Sequence, residues 1–248
     1  MQVTSSTQPV VLYQPQIHNK FAHFVHLMII FGAVISFGTI AVYEAFGFKI
    51  NWNTKTIQQT GLIALNSSSV GGGAQVRLND DLGATYLPYR FNQLLPGQYS
   101  VGVKKSGYQD WSHDVTVVAN RAVTFSSIVL VFTHPLPSLV PNGTVEVVPT
   151  PTDTSTGVEI RAGNELWLHG IFITRTSQDL VHAQWFPDAQ HIVYQAGATL
   201  WLSDLDGLNT QKILNFPSTM YVPVTFQQRG QVMLYQFANG NTWRLVLY

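Results

Sequence analysis

The stretch LLPGQYSVGVKKSGYQDWSHDVTVVANRAVTFSSIVL, Leu94 to Leu130, decides how the rest of the chain is read. Tyr99, Val101 and Val103 alternate with Ser100, Gly102 and Lys104, the period of a strand with one dry face and one wet face. Pro96-Gly97 supplies the turn before it, because proline fixes φ and glycine accepts backbone conformations that side chains resist. Ser106-Gly107 closes that strand, and Tyr108 and Trp111 follow as large apolar plugs. Val115, Val117 and Ala119 alternate with Asp114, Thr116 and Val118, and after Asn120-Arg121 a third run extends from Val123 to Val131. The expectation is a β-meander sealed by aromatic side chains.

Upstream, Gly61–Leu65 reads as a first strand and Ala74–Leu78 as a second, closed by an Asn79-Asp80-Asp81 turn. Together with Pro96, Gly97, Tyr99, Val101, Val103, Gly107, Tyr108, Trp111, Val115 and Val117, this pattern resembles the PEGA domain, a small β-sandwich of prokaryotic surface proteins. The resemblance covers about a third of the chain and implies a fold and an extracytoplasmic location rather than a chemistry. Ser67 to Gly73 replaces the segment that names the family, and reads as a flexible loop.

Composition narrows the function classes. Lys+Arg 13 balances Asp+Glu 13, so no net field favours nucleic acid, and the charged fraction of 10% lies well below the roughly 25% of soluble proteins. With no cysteine, the 248 residues contain no disulfide, thiolate metal site, thiol nucleophile or lipidated cysteine.

From Phe21 to Tyr43 there is no Asp, Glu, Lys or Arg. About 23 residues at about 1.5 Å each cross a hydrocarbon core of about 30 Å, so this run reads as a transmembrane signal anchor. Cleavage is disfavoured by its length and the lack of an A-x-A site. The charge flanks, Lys20 before it and Glu44, Lys49 and Lys55 after it, hardly set an orientation; the short tail and the resemblance point to a cytoplasmic N-terminus. Gly32, Ala33 and Ser36 are read as ordinary small residues of such a helix, with helix association as the alternative. His23 and His26, one turn apart, are read as interfacial rather than as a proton relay or metal pair, since no carboxylate joins them. Phe46, Phe48 and Trp52 form an expected aromatic collar at the outer interface.

The last hundred residues repeat. Val158–Leu168 aligns without gaps on Ile192–Leu202, sharing Ala-Gly and Leu-Trp-Leu, and Met233-Leu234-Tyr235 with Thr242–Leu245 makes a weaker third copy. A spacing of roughly 35 to 40 residues with several strands per unit is that of propeller blades. The middle unit, Val181 to Leu214, resembles the TolB-type β-propeller repeat: Trp185, Pro187 and Asp188 match its first turn, with Phe186 and Ala189 in place of Ser and Gly, and Asp204, Asp206, Gly207 and Asn209 match its second. Three blades fall short of the minimum of about four in a closed ring. The terminal strand Trp243–Tyr248 is therefore expected to pair with the PEGA-like domain, with an earlier blade, or with another subunit.

No residue is assigned to catalysis, to a cofactor or to a metal. Asp204, Asp206 and Asn209 suit calcium or a hairpin turn, and the turn is favoured because the spacing departs from an EF-hand. Asp188 and His191, with His182 near them, lack a nucleophile elbow, and there is no P-loop, H-E-x-x-H or G-x-G-x-x-G. Asp80-Asp81, Glu159 and Glu165 fall in or beside turns. Asn66-Ser-Ser and Asn142-Gly-Thr fit the glycosylation pattern. Trp111, Trp167, Trp185, Trp201 and Trp243 are read as packing rather than as a carbohydrate platform.

The expected protein is mainly β and not an enzyme: a disordered cytoplasmic tail over 1–20, a transmembrane helix over 21–46, a juxtamembrane linker over 47–59, a PEGA-like sandwich over 60–132, a proline-rich linker over 133–142 and an incomplete β-propeller-like domain over 143–248. Its expected partners are the lipid bilayer, envelope proteins or cell-wall polymer, and a second copy through the C-terminal strand, with no nucleic acid. Its expected role is binding or structural, with a sensory ectodomain as the alternative and an envelope hydrolase after that.

Overall fold

The computed structural model describes residues 20–52, 54–67, 69–70, 72–141 and 157–248. The expected tail up to Asn19 and the Asn142 pattern lie outside the described residues. Two units are seen, one ending at Phe48 and one from Lys49 to Tyr248.

The first unit holds helix α1, Lys20–Ala45, which is long and apolar enough to cross a membrane. None of its side chains is buried, which sets it apart from the core helix of a soluble fold. It stops where Gly47 takes φ 77° and its N–H reaches the Glu44 carbonyl at 3.0 Å, a helix end that glycine allows. His23 and His26 are exposed on it, and His26 Nδ1 lies 2.8 Å from the Ala22 carbonyl.

Among its described residues the second unit is built of strands, with a 3-10 turn at Gln228–Gly230. It opens with a two-stranded sheet, β1 (Phe48–Asn51) and β2 (Thr56–Gln59), where a plain linker was expected. A sandwich follows. One sheet orders β6 (Tyr89–Leu94), β3 (Gly61–Leu65) and β9 (Ala122–Phe125); the other orders β5 (Asp81–Ala84), β4 (Gln75–Leu78), β7 (Gly97–Lys104) and β8 (Trp111–Val117). Val101 and Val103 of β7 and Trp111 and Val117 of β8 face inward against Ile63, Leu65 and Val76, as the alternation requires.

The expected meander is corrected at its third strand. β7 and β8 are antiparallel neighbours, but β9 leaves their sheet and pairs in parallel with β3, Leu62 opposite Ala122 and Leu65 opposite Phe125. The crossing is fastened by Asn120 N–H on the Thr60 carbonyl at 2.9 Å and Leu62 N–H on the Arg121 carbonyl at 3.1 Å. Gly61 permits it, since a Cβ there would sit 2.6 Å from the Val118 carbonyl oxygen and from Val117 Cγ1. The loop after β3 is also anchored rather than free at its described residues: Val70 is buried in the sandwich core, and the Ser67 and Ser69 hydroxyls both donate to the Ile128 carbonyl.

The described residues of the C-terminal region form three antiparallel sheets. These are β11 (Val158–Arg161), β12 (Glu165–Leu168) and β13 (Ile171–Arg175); β14 (Leu180–Trp185), β15 (His191–Ala196), β16 (Thr199–Asp204) and β17 (Gln211–Asn215); and β18 (Val224–Gln227), β19 (Val232–Gln236) and β20 (Thr242–Val246). The repeat in sequence is a repeat in topology, down to a bulge at the same step, Leu166/Trp167 in one sheet and Leu200/Trp201 in the next. Register is not repeated. Arg161 pairs with Glu165 across a three-residue loop in which Ala162 and Gly163 both have positive φ, whereas Ala196 pairs with Thr199 across two residues.

The third sheet gains a fourth strand from far away. Ser138–Leu139, β10, lies in the expected linker and pairs with Arg244 and Trp243 of β20. Both edges of β20 are thus engaged within the chain at these residues, and Leu247 beyond it accepts from Phe132 N–H at 3.0 Å.

Candidate functional site

The functional geometry of the β unit concentrates where the sandwich meets the C-terminal sheets. Ile128 to Val131, with no regular strand assignment, is buried on both sides: Ile128 and Leu130 enter the sandwich core, Val129 and Val131 the core shared by the last two sheets. An apolar run of period two buried on two faces has no wet face. Its backbone groups must still be satisfied, and side chains do this. Gln211 Nε2 donates to the Val129 carbonyl at 2.6 Å, and its Oε1 accepts from Val131 N–H at 2.7 Å. Gln109 brackets Lys212 in the same manner, accepting from its N–H at 3.0 Å and donating to its carbonyl at 2.7 Å.

Beside this apolar seam lies an ionic one. The turn after β16 aims its polar side chains at the sandwich: Asp204 Oδ2 accepts from Trp111 Nε1–H at 3.1 Å and from Asn209 Nδ2–H at 2.9 Å, while Asn209 Oδ1 accepts from Ser112 N–H at 2.8 Å. Gly207 (φ 80°) lets the same turn close on β13, where a Cβ would meet the Ile173 carbonyl oxygen at 2.3 Å. Asp188 Oδ2 accepts from the Ser127 hydroxyl at 2.9 Å. Between the two carboxylates lies His191, its side chain 3% exposed, with Nδ1 2.6 Å from Asp188 Oδ2 and Nε2 3.0 Å from Asp204 Oδ1.

Two ring nitrogens facing two carboxylates fit an imidazolium that donates from both. Burial opposes the charge, but the hydrogen bonds to Asp188 and Asp204 and their negative fields outweigh it, and the pKa of His191 is raised from 6.5 to about 9. Burial likewise works against the Asp188 carboxylate, yet His191, Gln190 N–H and Ser127 hold its pKa below the usual value. A second, more exposed pair, His113 Nε2 with Asp206 Oδ2 at 2.6 Å, flanks the first; partial burial lowers the His113 pKa, and the bond to Asp206 more than restores it. A cleft of about 210 Å³ opens among Trp111, His113, Phe125, His191, Asp204 and Asp206.

This arrangement is suited to holding two folds together. With both nitrogens donating, His191 has no lone pair with which to accept a proton, and the Ser127 hydroxyl is committed to Asp188 rather than to an imidazole. Among the described residues, no group of three or more His, Asp or Glu is placed to hold a metal ion.

The residues singled out from sequence divide sharply. Asp188, His191, Asp204, Asp206, Asn209 and Trp111 come together at the seam, in a role that neither the calcium nor the plain-turn reading contained. His182 is elsewhere, buried against the Tyr221 ring at 4.8 Å and bonded to Gln184 at 3.2 Å, and burial lowers its pKa. Glu159 pairs with Arg161 at 2.6 Å, and Glu165 with Arg175 and the Trp167 indole. Asp80 and Asp81 are exposed, and Asn66 is half-buried in the sandwich. Trp111 is fully buried; Trp185 and Trp201 pack half-buried against one C-terminal core and Trp243 against another. Sequence reading missed Gln109, Gln211 and Ser127. The signal available for Gln211 was a polar residue at an inward strand position, which must be bonded when buried.

These seam residues Ser127 to Leu130 close the segment that carries the family pattern. Residues 62–130 match the family model of the PEGA domain. No curated protein matches the chain. The PEGA match ends inside the seam, so Trp111, Ser112, His113, Ser127 and Val129 are PEGA-segment residues, while their partners from Asp188 to Lys212 lie outside it.

Proposed function

We propose that the chain is a membrane-anchored protein of the cell envelope, with α1 as an uncleaved single-pass anchor, its N-terminus cytoplasmic, and the β unit outside as a binding or structural module. The helix of membrane-crossing length together with the PEGA-domain match carries this reading. On it, the three C-terminal sheets act as blades of an incomplete propeller, whose exposed flank is occupied by the PEGA-like sandwich through the Ile128–Val131 segment and the His191 ion group. The side chains that catalysis would use are consumed by that junction, which favours a scaffold or binding role over hydrolysis.

The absence of native cysteine makes the test clean. A Leu136→Cys chain in intact cells is expected to react with a membrane-impermeant maleimide while the wild type does not, and to remain with the membrane after alkaline extraction. Labelling only after permeabilisation overturns the orientation, and release into the soluble fraction overturns the anchor. Capture of the anchored chain with its envelope neighbours then separates a scaffold from a sensor by the class of partner recovered.

A further inference from the structure

The hairpin between α1 and the sandwich exposes large apolar side chains. In a hairpin resting on its own protein, apolar side chains turn inward and polar ones outward. In the β1–β2 hairpin three large apolar side chains turn outward instead: Ile50, Trp52 and Ile57 are 43%, 79% and 58% exposed, beside the exposed Lys49, Thr54, Lys55 and Thr56, while Asn51 and Gln58 are half-buried along with Phe48 and bonded to each other at 3.3 Å. Thr54 N–H donates to Asn51 Oδ1 at 3.3 Å. The hairpin's only charged side chains are Lys49 and Lys55, both exposed, and Phe48 to Gln59 contains no carboxylate.

Chain connectivity limits what these side chains can meet. Helix α1 ends at Ala45 and β1 begins at Phe48, and a residue spans at most about 3.6 Å, so the start of the hairpin cannot leave the end of the helix by more than roughly 11 Å. Tryptophan and isoleucine beside lysine, without acid, is the composition suited to the boundary between headgroups and acyl chains.

We propose that the β1–β2 hairpin docks on the lipid surface, with Ile50, Trp52 and Ile57 in the headgroup boundary and Lys49 and Lys55 against lipid phosphates. The hairpin is then a second membrane contact of the chain, in addition to α1. This rests on the reading of α1 as an anchor.

The test uses the full chain carrying one cysteine at a time, Trp52→Cys, Ile57→Cys, Leu136→Cys or Phe31→Cys, labelled with an environment-sensitive fluorophore and reconstituted in vesicles of neutral and anionic phospholipid. Leu136, 86% exposed in the β unit, is the aqueous reference, and Phe31 in α1 reports the anchor itself. Labels at 52 and 57 are expected to be quenched by headgroup-region spin-labelled lipid at least about threefold more than the label at 136, and to be shielded from iodide. If 52 and 57 behave like 136 while 31 is in lipid, the anchor stands and the docking is overturned. If 31 is also in water, the anchor reading fails and the docking with it. Shielding from iodide without lipid quenching means that protein covers the hairpin, which overturns the lipid surface as occupant.

Discussion

The seam joining the two β folds has an apolar half and an ionic half, and they are held by different physics. Val129 and Val131 enter the C-terminal core on the far side of the backbone from Ile128 and Leu130, so the same four residues belong to two cores at once. Their contribution comes from area removed from water and depends little on pH or on angle. The Asp188–His191–Asp204 group, with Trp111 donating into it, works in the reverse way: charges taken out of water gain little net free energy even when well paired, but their directional bonds fix one docking geometry. Apolar contact therefore supplies adhesion, and the ion group supplies orientation and a dependence on protonation.

The comparison breaks most violently at Val131→Asp, which buries a carboxylate with no partner where two cores converge. A loss on the order of 4 kcal/mol or more is expected, read as unfolding of the C-terminal sheets in a chemical denaturation curve. Next in size is Asp204→Asn. Removing one carboxylate leaves the His191 cation half-paired in a buried site, with an expected loss of roughly 3 kcal/mol. In the same variant the imidazole pKa should fall from about 9 toward its ordinary value, which an NMR titration of His191 follows. A retained value near 9 would place the charge balance elsewhere.

Protonation sharpens the contrast further. Because the folded-state pKa of His191 is raised from 6.5 to about 9, its stabilisation is fully present below about 6.5 and is lost as pH rises through about 9. The wild type should thus lose on the order of 3 kcal/mol between these limits, an amount absent in His191→Gln, while Val131→Ala should keep the wild-type pH profile at a lower level throughout. The smallest effect belongs to Asp206→Asn. Its partner His113 is only partly covered and Asp206 is itself exposed, so a change below about 1 kcal/mol is expected in the same denaturation assay.

Much of the sandwich was legible because a strand writes its burial into alternate residues. The Tyr99, Val101, Val103 pattern carries its inward face in the chain itself, and Gly61–Leu65 shows itself as a continuous apolar run, buried at all positions but Leu62. The parallel crossing of β9 to β3 was not legible, since Val123 would alternate equally well beside β8; Gly61 accommodates it, because a Cβ there would meet the Val118 and Arg121 carbonyl oxygens of the turn that leads into β9. The C-terminal repeat announced three hairpins, yet identical Ala-Gly motifs closed with loops of different length, because φ at Ala162 is positive and the loop takes one residue more. Asp204, Asp206 and Asn209 were visible as a polar turn, but their partners Trp111, Ser112 and His113 are about ninety residues distant. No local spacing rule reaches that far.

What the sequence determined alone is what depends on neighbours along the chain: an uncharged run long enough to span a membrane, the strand alternation, the turn residues and the repeat. What tertiary structure decided is where unlike segments meet: Ser138–Leu139 beside the last strand, Val129 and Val131 in a foreign core, and His191 between two carboxylates. Periodicity follows from backbone geometry and is written locally, whereas a buried charge becomes stable only once folding has brought its counter-charges within hydrogen-bonding distance.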